Sequence, residues 1–564
     1  MKTEAYTLTR AQISRSAILR LYISMRHLFL RGGYKPLGVS GETMMDNMLA
    51  LKPEIYGSVA DPDRVELSGL LYVFQRLPIG IESCRYIELI SREGFEESSF
   101  EPIVPSKRRR NCYKIDDDQM YIEMTRGHSD IYDVLTHLTF LFIESEKIKG
   151  NALDSKDRPV RAWKMLKEIV EKIEEGKSFD LEVGYTYLSS LLGRTFDETS
   201  TACDDFKNAK GVNSLFQIVY GLGKRSIDEY LNNNDREINF SQALREKLGH
   251  HIYGEQWANR IKNYLFEHDL LDKEIHVISA NLHSVMNSFY AHSVLNKSNK
   301  FATLEDIAEH LSLSENKANR KKVHNYALKN GMSELHDNNG TNISVQIFDG
   351  AMLDSTSFPN EICTAKALDK KVIIVMDYAF GEQAYETMDE LLKPFEHNDT
   401  KHYLDVRSVN IMGKAGILEG NKGDIMVPNA HVFEGSADNY PFNNSLKARQ
   451  FNDPELKVYA GPMITVLGTS LQNRDILRYF HKSSWKAIGL EMEGAHYQKA
   501  IQAAANIRKS VNEDIVMRYA YYASDNPLET GSTLASGGLG MEGVKPTYLI
   551  TLEILKGVLD CEEK

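Results

Sequence analysis

A change of texture near residue 340 constrains the fold of this chain more than any other feature. Beyond it, short β-branched apolar runs alternate with helical stretches. "KKVIIVMDYAF" has the composition of a buried strand, and "GEQAYETMDELLKPF" repeats its apolar residues at helical spacing. "VRSVNIMGKAG", "GDIMVPNAHVFEG", "LKVYAGPMITVLGT", "AIGLEME" and "DIVMRYAYYASD" read as further strands, while "GAHYQKAIQAAANIRK" and "PTYLITLEILKGVL" read as helices. This alternation predicts an α/β domain over 341–564, with a mixed, mostly parallel central sheet flanked by helices. In such sheets ligands bind beyond the carboxyl ends of the strands.

Residues 1–340 have a different character. "RAQISRSAILRLYISMRHLFL", "IYDVLTHLTFLFIESEKI", "RPVRAWKMLKEIVEKIEE" and "HVISANLHSVMNSFYAHSVL" place apolar residues three and four apart, which predicts a mainly α-helical region. With 564 residues the chain exceeds one ordinary core, so two or three domains are expected. Apolar residues make up 42% and charged residues 26%, the balance of a soluble globular protein. No apolar stretch approaches the roughly 20 residues of a membrane helix. The amino terminus lacks a signal-peptide apolar region with a cleavage site. Cys84, Cys112, Cys203, Cys363 and Cys561 are scattered without a CxxC pair. That argues against a disulfide framework or a metal centre and fits a reducing cytoplasm. A net charge of −12 argues against a dedicated nucleic-acid partner.

Chemistry concentrates at three places. In "GLEMEGAHYQ", residues 489–498, Glu491 and Glu493 sit where an apolar strand becomes a helix. Strand alternation puts both on one face. Downstream, the aromatic run "YAYYA" ends at Ser524 and Asp525, just before Asn526 and Pro527. Each acid has an ordinary structural reading: a helix cap for the glutamates, turn chemistry for the aspartate. Acids at strand exits also serve acid/base chemistry or grip hydroxyls. The third place is "GKAG", where Gly413 and Gly416 permit a turn and close backbone approach, and Lys414 could meet a phosphate. A plain turn with a solvated lysine is the alternative. Arg474 is a second phosphate candidate, or a solvated helix residue.

Four segments, in order, resemble the purine nucleoside phosphorylase and nucleosidase superfamily. "GLEMEGAHYQKAI" is similar to its (D/E)-M-E-(G/A/S)-A motif, and "YYASDNPLETG" to the SD motif that follows. "NIMGKAGILEGNKGDIMVPNAHV" resembles its glycine turn and Gly-Asp strand, and "YAFGEQAYETMDELL" its earlier strand, turn and helix. Within the superfamily the AMP nucleosidases are most similar, through "SDNPL" and the "FP" of "DSTSFPNE". The resemblance covers roughly residues 343–558. It implies a nucleoside phosphorylase-like fold and cleavage of a purine N-glycosidic bond, with no cofactor.

By the same resemblance, Asp525 donates a proton to the purine and Glu493 accepts hydrogen bonds from the ribose hydroxyls. The implied substrate-binding set adds Glu491, Met492, Gly413, Lys414, Gly416, Ser524 and Arg474. The superfamily's early Gly-Asp-Pro-x-Arg phosphate loop is missing, and "QIFDGAMLDSTSFPNE" stands in its place. That departure favours water as the nucleophile, with Asp349 or Asp354 as candidates to position it. The expected reaction is AMP plus water giving adenine and ribose 5-phosphate. Purine nucleoside phosphorolysis, or hydrolysis of another purine nucleoside, is the enzymatic alternative. A non-catalytic nucleotide sensor is the alternative of another class. The resemblance further implies a trimeric or hexameric homo-oligomer.

Four other stretches stand out. "SKRRRNCYK", residues 106–114, reads as a solvated basic loop or a site for a phosphate or nucleotide effector. Residues 303–331 scan loosely as a helix-turn-helix, with a helical pair joining two domains the simpler account. His128 and His137 share one segment without a third metal ligand and read as packing or capping residues. "STLASGGLGMEG", residues 532–543, reads as a mobile loop and a candidate lid.

Overall fold

The computed structural model describes residues 8–296, 301–354, 358–359, 361–362, 367–436, 438–529 and 539–560. The chain divides into two units, Met1–His250 with Ser470–Ile476, and His251–Thr469 with Leu477–Lys564. Of the expected glycine-rich lid, residues 532–538 lie outside the described residues. Among the described residues no helix is long and apolar enough to cross a membrane.

The first unit is not helical alone. It carries a five-stranded sheet of β1 (Gly33–Tyr34), β2 (Tyr86–Ile90), β3 (Cys112–Lys114), β4 (Gln119–Glu123) and β5 (Glu237–Phe240), in the order β1-β5-β2-β4-β3. These strands are two to five residues long, too short for their alternation to show against the helical runs around them. The helix His128–Ala152 is buried along most of its length. The basic stretch is not a solvated loop either. Arg108 grips Asp133 with Nε and Nη2 at 2.8 and 2.9 Å, and Arg110 pairs with Asp130 at 2.8 Å and Asp133 at 2.9 Å. His137 is buried beside them, Nδ1 at 3.1 Å from the Tyr56 hydroxyl and Nε2 at 3.3 Å from Asp133.

The second unit is built on a ten-stranded mixed sheet. Its strands are β6 (Glu274–Ser279), β7 (Met332–Leu335), β8 (Val345–Asp349), β9 (Lys371–Met376), β12 (Val406–Ile417), β13 (Ile425–Phe433), β14 (Asn439–Pro441), β15 (Val458–Thr465), β16 (Gly489–Glu491) and β17 (Val516–Asp525). A separate hairpin joins β10 (Phe395–His397) to β11 (Thr400–His402). Parallel pairing runs through β9, β6, β12 and β17, so these four strands end on the same side. Every residue of β9 is buried, as a strand covered on both faces requires. The strands β12, β17, β13, β15 and β16 pair in a closed ring, because β17 bonds to both β12 and β13 while β16 returns to β12. One apolar layer, containing Val277, Ile374, Ala415, Met426, Tyr521 and Ala523, lies against the helices Ile252–Glu267 and Gln383–Leu391. A second layer packs Phe289, Ile373, Met412 and Ile554 together.

The boundary predicted at 340 moves to 250. β6, in the centre of the sheet, comes from "EIHVIS", which periodicity assigned to the start of a helix. That helix begins only at Leu282, where the Asn281 side chain accepts from the Ser284 amide. The helices Leu304–Ser312 and Lys317–Ala327 do not join two domains. Their apolar residues Ile307, Leu311, Val323 and Ala327 belong to the second layer of this unit.

Candidate active site

The acids singled out by sequence gather where strands of the ring end. Gly416 of β12 is opposite Leu490 of β16 on one side and Asp525 of β17 on the other. Paired strands lie about 4.8 Å apart, so Leu490 and Asp525 are separated by about 10 Å across Gly416. The pairing of β12 with β17 shifts register between Ala415 and Gly416. "GKAG" is therefore no turn: Gly413, Lys414 and Gly416 all lie inside β12, and the irregularity is a bulge. A Cβ on Gly413 would touch the Tyr521 ring at 3.3 Å. Lys414 is exposed, and alternation directs it away from the face that carries Gly413 and Ala415.

Glu491 is fully buried and acts as a helix cap. Its Oε1 accepts from the Thr465 hydroxyl at 2.5 Å; its Oε2 accepts from the Glu493 amide at 2.5 Å and from the Gly494 amide. Those amides open the helix Gly494–Gln502. Burial, then the charge of Glu493, pushes the Glu491 carboxyl up to about 8. Met492 and Glu493 are half-buried. Glu493 Oε1 accepts from the Gly381 amide at 2.9 Å, which ties it to the turn following β9. Gly381 has φ +54°, a left-handed conformation that favours glycine. Tyr497, one turn along the same helix, reaches Ser279 at the end of β6, oxygen to oxygen 3.0 Å. Side chains thus link the exits of β6, β9 and β16.

Asp525 is buried at the end of β17. Ser524 Oγ lies 3.1 Å from the Ala415 carbonyl and in hydrogen-bonding contact with Asp525 Oδ1.

Sequence reasoning missed His431. Its ring lies parallel to Phe442 at 5.3 Å, close to Tyr519 at 5.0 Å, with Nε2 at 3.3 Å from the Tyr521 hydroxyl. Burial lowers it to about 3, so the imidazole is neutral. A Cβ on Gly494 would fall 2.3 Å from His431 Cδ2 and 2.8 Å from Glu491 Oε1. The glycine of the Glu-Met-Glu-Gly run is thus required by close packing. Burial, then the charge of Glu491, pushes Tyr521 upward, with Glu493 acting the same way.

A family model described as "Family of unknown function (DUF6909)" matches residues 42–303 and 305–560. The chain belongs to that family. No curated protein matches it. Among solved structures, a futalosine hydrolase mutant of Helicobacter pylori is 13% identical, covers 51% of this chain and 97% of its own, and has a TM-score of 0.28. The 5'-methylthioadenosine/S-adenosyl homocysteine nucleosidase of Campylobacter jejuni is 11% identical over 50% of this chain and 97% of its own, at 0.29. That of Helicobacter pylori is 14% identical over 51% and 99%, at 0.29.

Three other residues predicted from the sequence of this DUF6909 member lie on other elements of the chain. Arg474 belongs to the first unit, its amide 3.2 Å from Glu54 Oε1 and its Nε 3.9 Å from Oε2. Asp349 ends β8, which runs antiparallel to β9 and sets Asp349 opposite Val372 at the start of that strand. There it binds Lys273 at 2.6 Å, at the end of the sheet remote from Asp525. Asp354 is exposed.

Proposed function

We propose that the second unit hydrolyses the N-glycosidic bond of a purine nucleotide, with AMP and water giving adenine and ribose 5-phosphate. The observation that supports this reading is the pairing of Gly416 with both Leu490 and Asp525, which leaves one strand between the run leading to Glu491 and Glu493 and the strand that ends at Asp525. Cleavage of a purine nucleotide leaves positive charge on the sugar and electrons on the base. Asp525 supplies the proton that the departing purine needs, and the proton released when water adds to the sugar cation restores it. Glu493 accepts from the vicinal ribose hydroxyls, and its negative charge favours the developing sugar cation. Met492, half-buried between the acids, offers an adaptable apolar contact. The sequence resemblance is the support for AMP over other purines.

The test is incubation of the full chain with AMP, adenosine, inosine and methylthioadenosine, each with and without inorganic phosphate. Adenine and ribose 5-phosphate from AMP without added phosphate is the expected result. Release that requires phosphate would replace hydrolysis by phosphorolysis. Intact AMP alongside a cleaved nucleoside would move the substrate, and no cleavage of any would leave the sensor reading.

A further inference from the structure

A second set of groups collects at the opposite end of the same strands. The starts of β6, β9, β12 and β17 frame a cavity of about 310 Å³ whose lining sets His276 and the cations Lys371, Arg407 and Arg518 beside the carboxylates Glu274, Asp514 and Asp560. This is within the size of small-ligand sites. His276 is only 5% exposed, and among the described residues its Nε2 has no hydrogen-bond partner. Its Nδ1 is 2.8 Å from Ser408 Oγ, which also accepts from Asn410 Nδ2 at 2.9 Å. The tautomer in which Ser408 donates to Nδ1 and the ring hydrogen sits on Nε2 gives the cavity wall a donor. Burial, then the neighbouring Lys371 and Arg518, lowers His276 to about 3, so the ring stays a neutral donor.

Arg518 is the second unusual group. Its Nη1 donates to Asn410 Oδ1 at 3.2 Å and its Nη2 to the Gly557 carbonyl at 2.9 Å, both neutral acceptors. Among the described residues it makes no ion pair, and burial lowers it to about 10. The Asp560 carboxylate acts on it only through its charge, and a guanidinium drawn partly out of water without an ion pair is costly. Lys371, 3% exposed at its side chain, is held by Asp560 at 2.6 Å and Glu274 at 3.4 Å. Asp560 follows the helix Val544–Val558, and its side chain is 62% exposed.

We infer that this cavity binds a small oxyanion of the phosphate class, free or as a phosphomonoester, on Arg518, His276 Nε2–H and Lys371, with the Asp560 carboxylate as its intramolecular competitor. Neither the acids at the far end of the sheet nor the proposed hydrolysis enters this argument.

Calorimetric titration of the full chain with inorganic phosphate, and separately with glycerol 3-phosphate, tests it. Binding in the millimolar range or tighter is expected. Arg518→Gln and His276→Phe each weaken it by about tenfold or more, the loss of one charge-assisted or buried donor. Asp560→Asn, which removes the competing carboxylate from Lys371, tightens it several-fold, a gain that a merely misfolded variant does not show. Asp525→Asn leaves it unchanged. Tighter binding of the ester assigns a phosphomonoester, and the reverse assigns free phosphate. Absence of binding to the native chain overturns the inference. So does binding that survives Arg518→Gln, that fails to tighten in Asp560→Asn, or that is lost in Asp525→Asn.

Discussion

Replacing Glu491 by glutamine should make the chain more stable as the solution becomes more alkaline. The carboxyl is fully buried, and it is raised from 4.5 to about 8 by burial and then by the charge of Glu493. The bonds from Thr465 and from the Gly494 and Glu493 amides act in the other direction without cancelling the rise. An acid raised by folding contributes stability that is fully present below its unfolded value and lost as pH climbs through the folded one. The displacement is about 3.5 units at about 1.4 kcal/mol each, a ceiling of about 5 kcal/mol. Between pH 5 and pH 8.5 the native chain therefore loses up to about 4 kcal/mol through this one group. Glutamine imitates the neutral acid: its carbonyl can take the two amides of the helix terminus while its NH2 faces Thr465. The variant escapes the loss. Urea unfolding of both full chains at pH 5 and pH 8.5, followed by fluorescence, reads the difference directly. Stability profiles that run parallel across this range would show that Glu491 titrates as a solvated glutamate, and the account of a buried neutral cap would fall.

Two further substitutions separate chemistry from packing. Asp525→Asn is expected to lower purine release by about 10²–10⁴-fold with little change in melting temperature, because the amide keeps the shape but has no acidic proton to transfer; unchanged turnover would remove Asp525 from the reaction. Gly494→Ala places a methyl 2.3 Å from His431 and 2.8 Å from Glu491 and should cost about 1–3 kcal/mol in urea unfolding. His431→Ala in the same chain should recover part of that loss, and a single variant as stable as the native chain would mean the approach is not close.

The alternation of strands and helices after residue 340 was legible because each strand is an apolar, β-branched run bounded by turn residues. β6 was not: "EIHVISANLHSV" runs straight from strand into helix, and an apolar run of six residues suits either period. The strands of the first unit were hidden by their brevity. At the site, Glu491, Glu493 and Asp525 stood out as acids at the ends of apolar runs, and the cap reading of a glutamate at this junction proved to describe Glu491. His431 gave no signal, being one imidazole in an apolar strand whose aromatic neighbours Phe442, Tyr519 and Tyr521 come from other elements. The glycines of "GKAG" misled because β12 carries a bulge there, and a bulge and a turn call for the same residue. Asp349 was chosen by its position along the chain, whereas the antiparallel direction of β8, which no local pattern encodes, carries it to the other end of the sheet.

Three consecutive residues, Glu491, Met492 and Glu493, divide structure from chemistry by burial alone. Glu491 is sealed among Thr465, the helix amides and Tyr521, where an ion is costly and a neutral carboxyl can cap the helix. Glu493, two residues on, is half-buried and holds the Gly381 amide beyond β9. Burial first, and then the charge of Glu493, push Glu491 upward, so the deeper of the two acids is the one that keeps its proton. An alanine at 491 would remove the repulsion but also uncap the helix that fixes residue 493. An acid at 491 is therefore tolerated because it surrenders its own charge while capping the helix that follows Glu493.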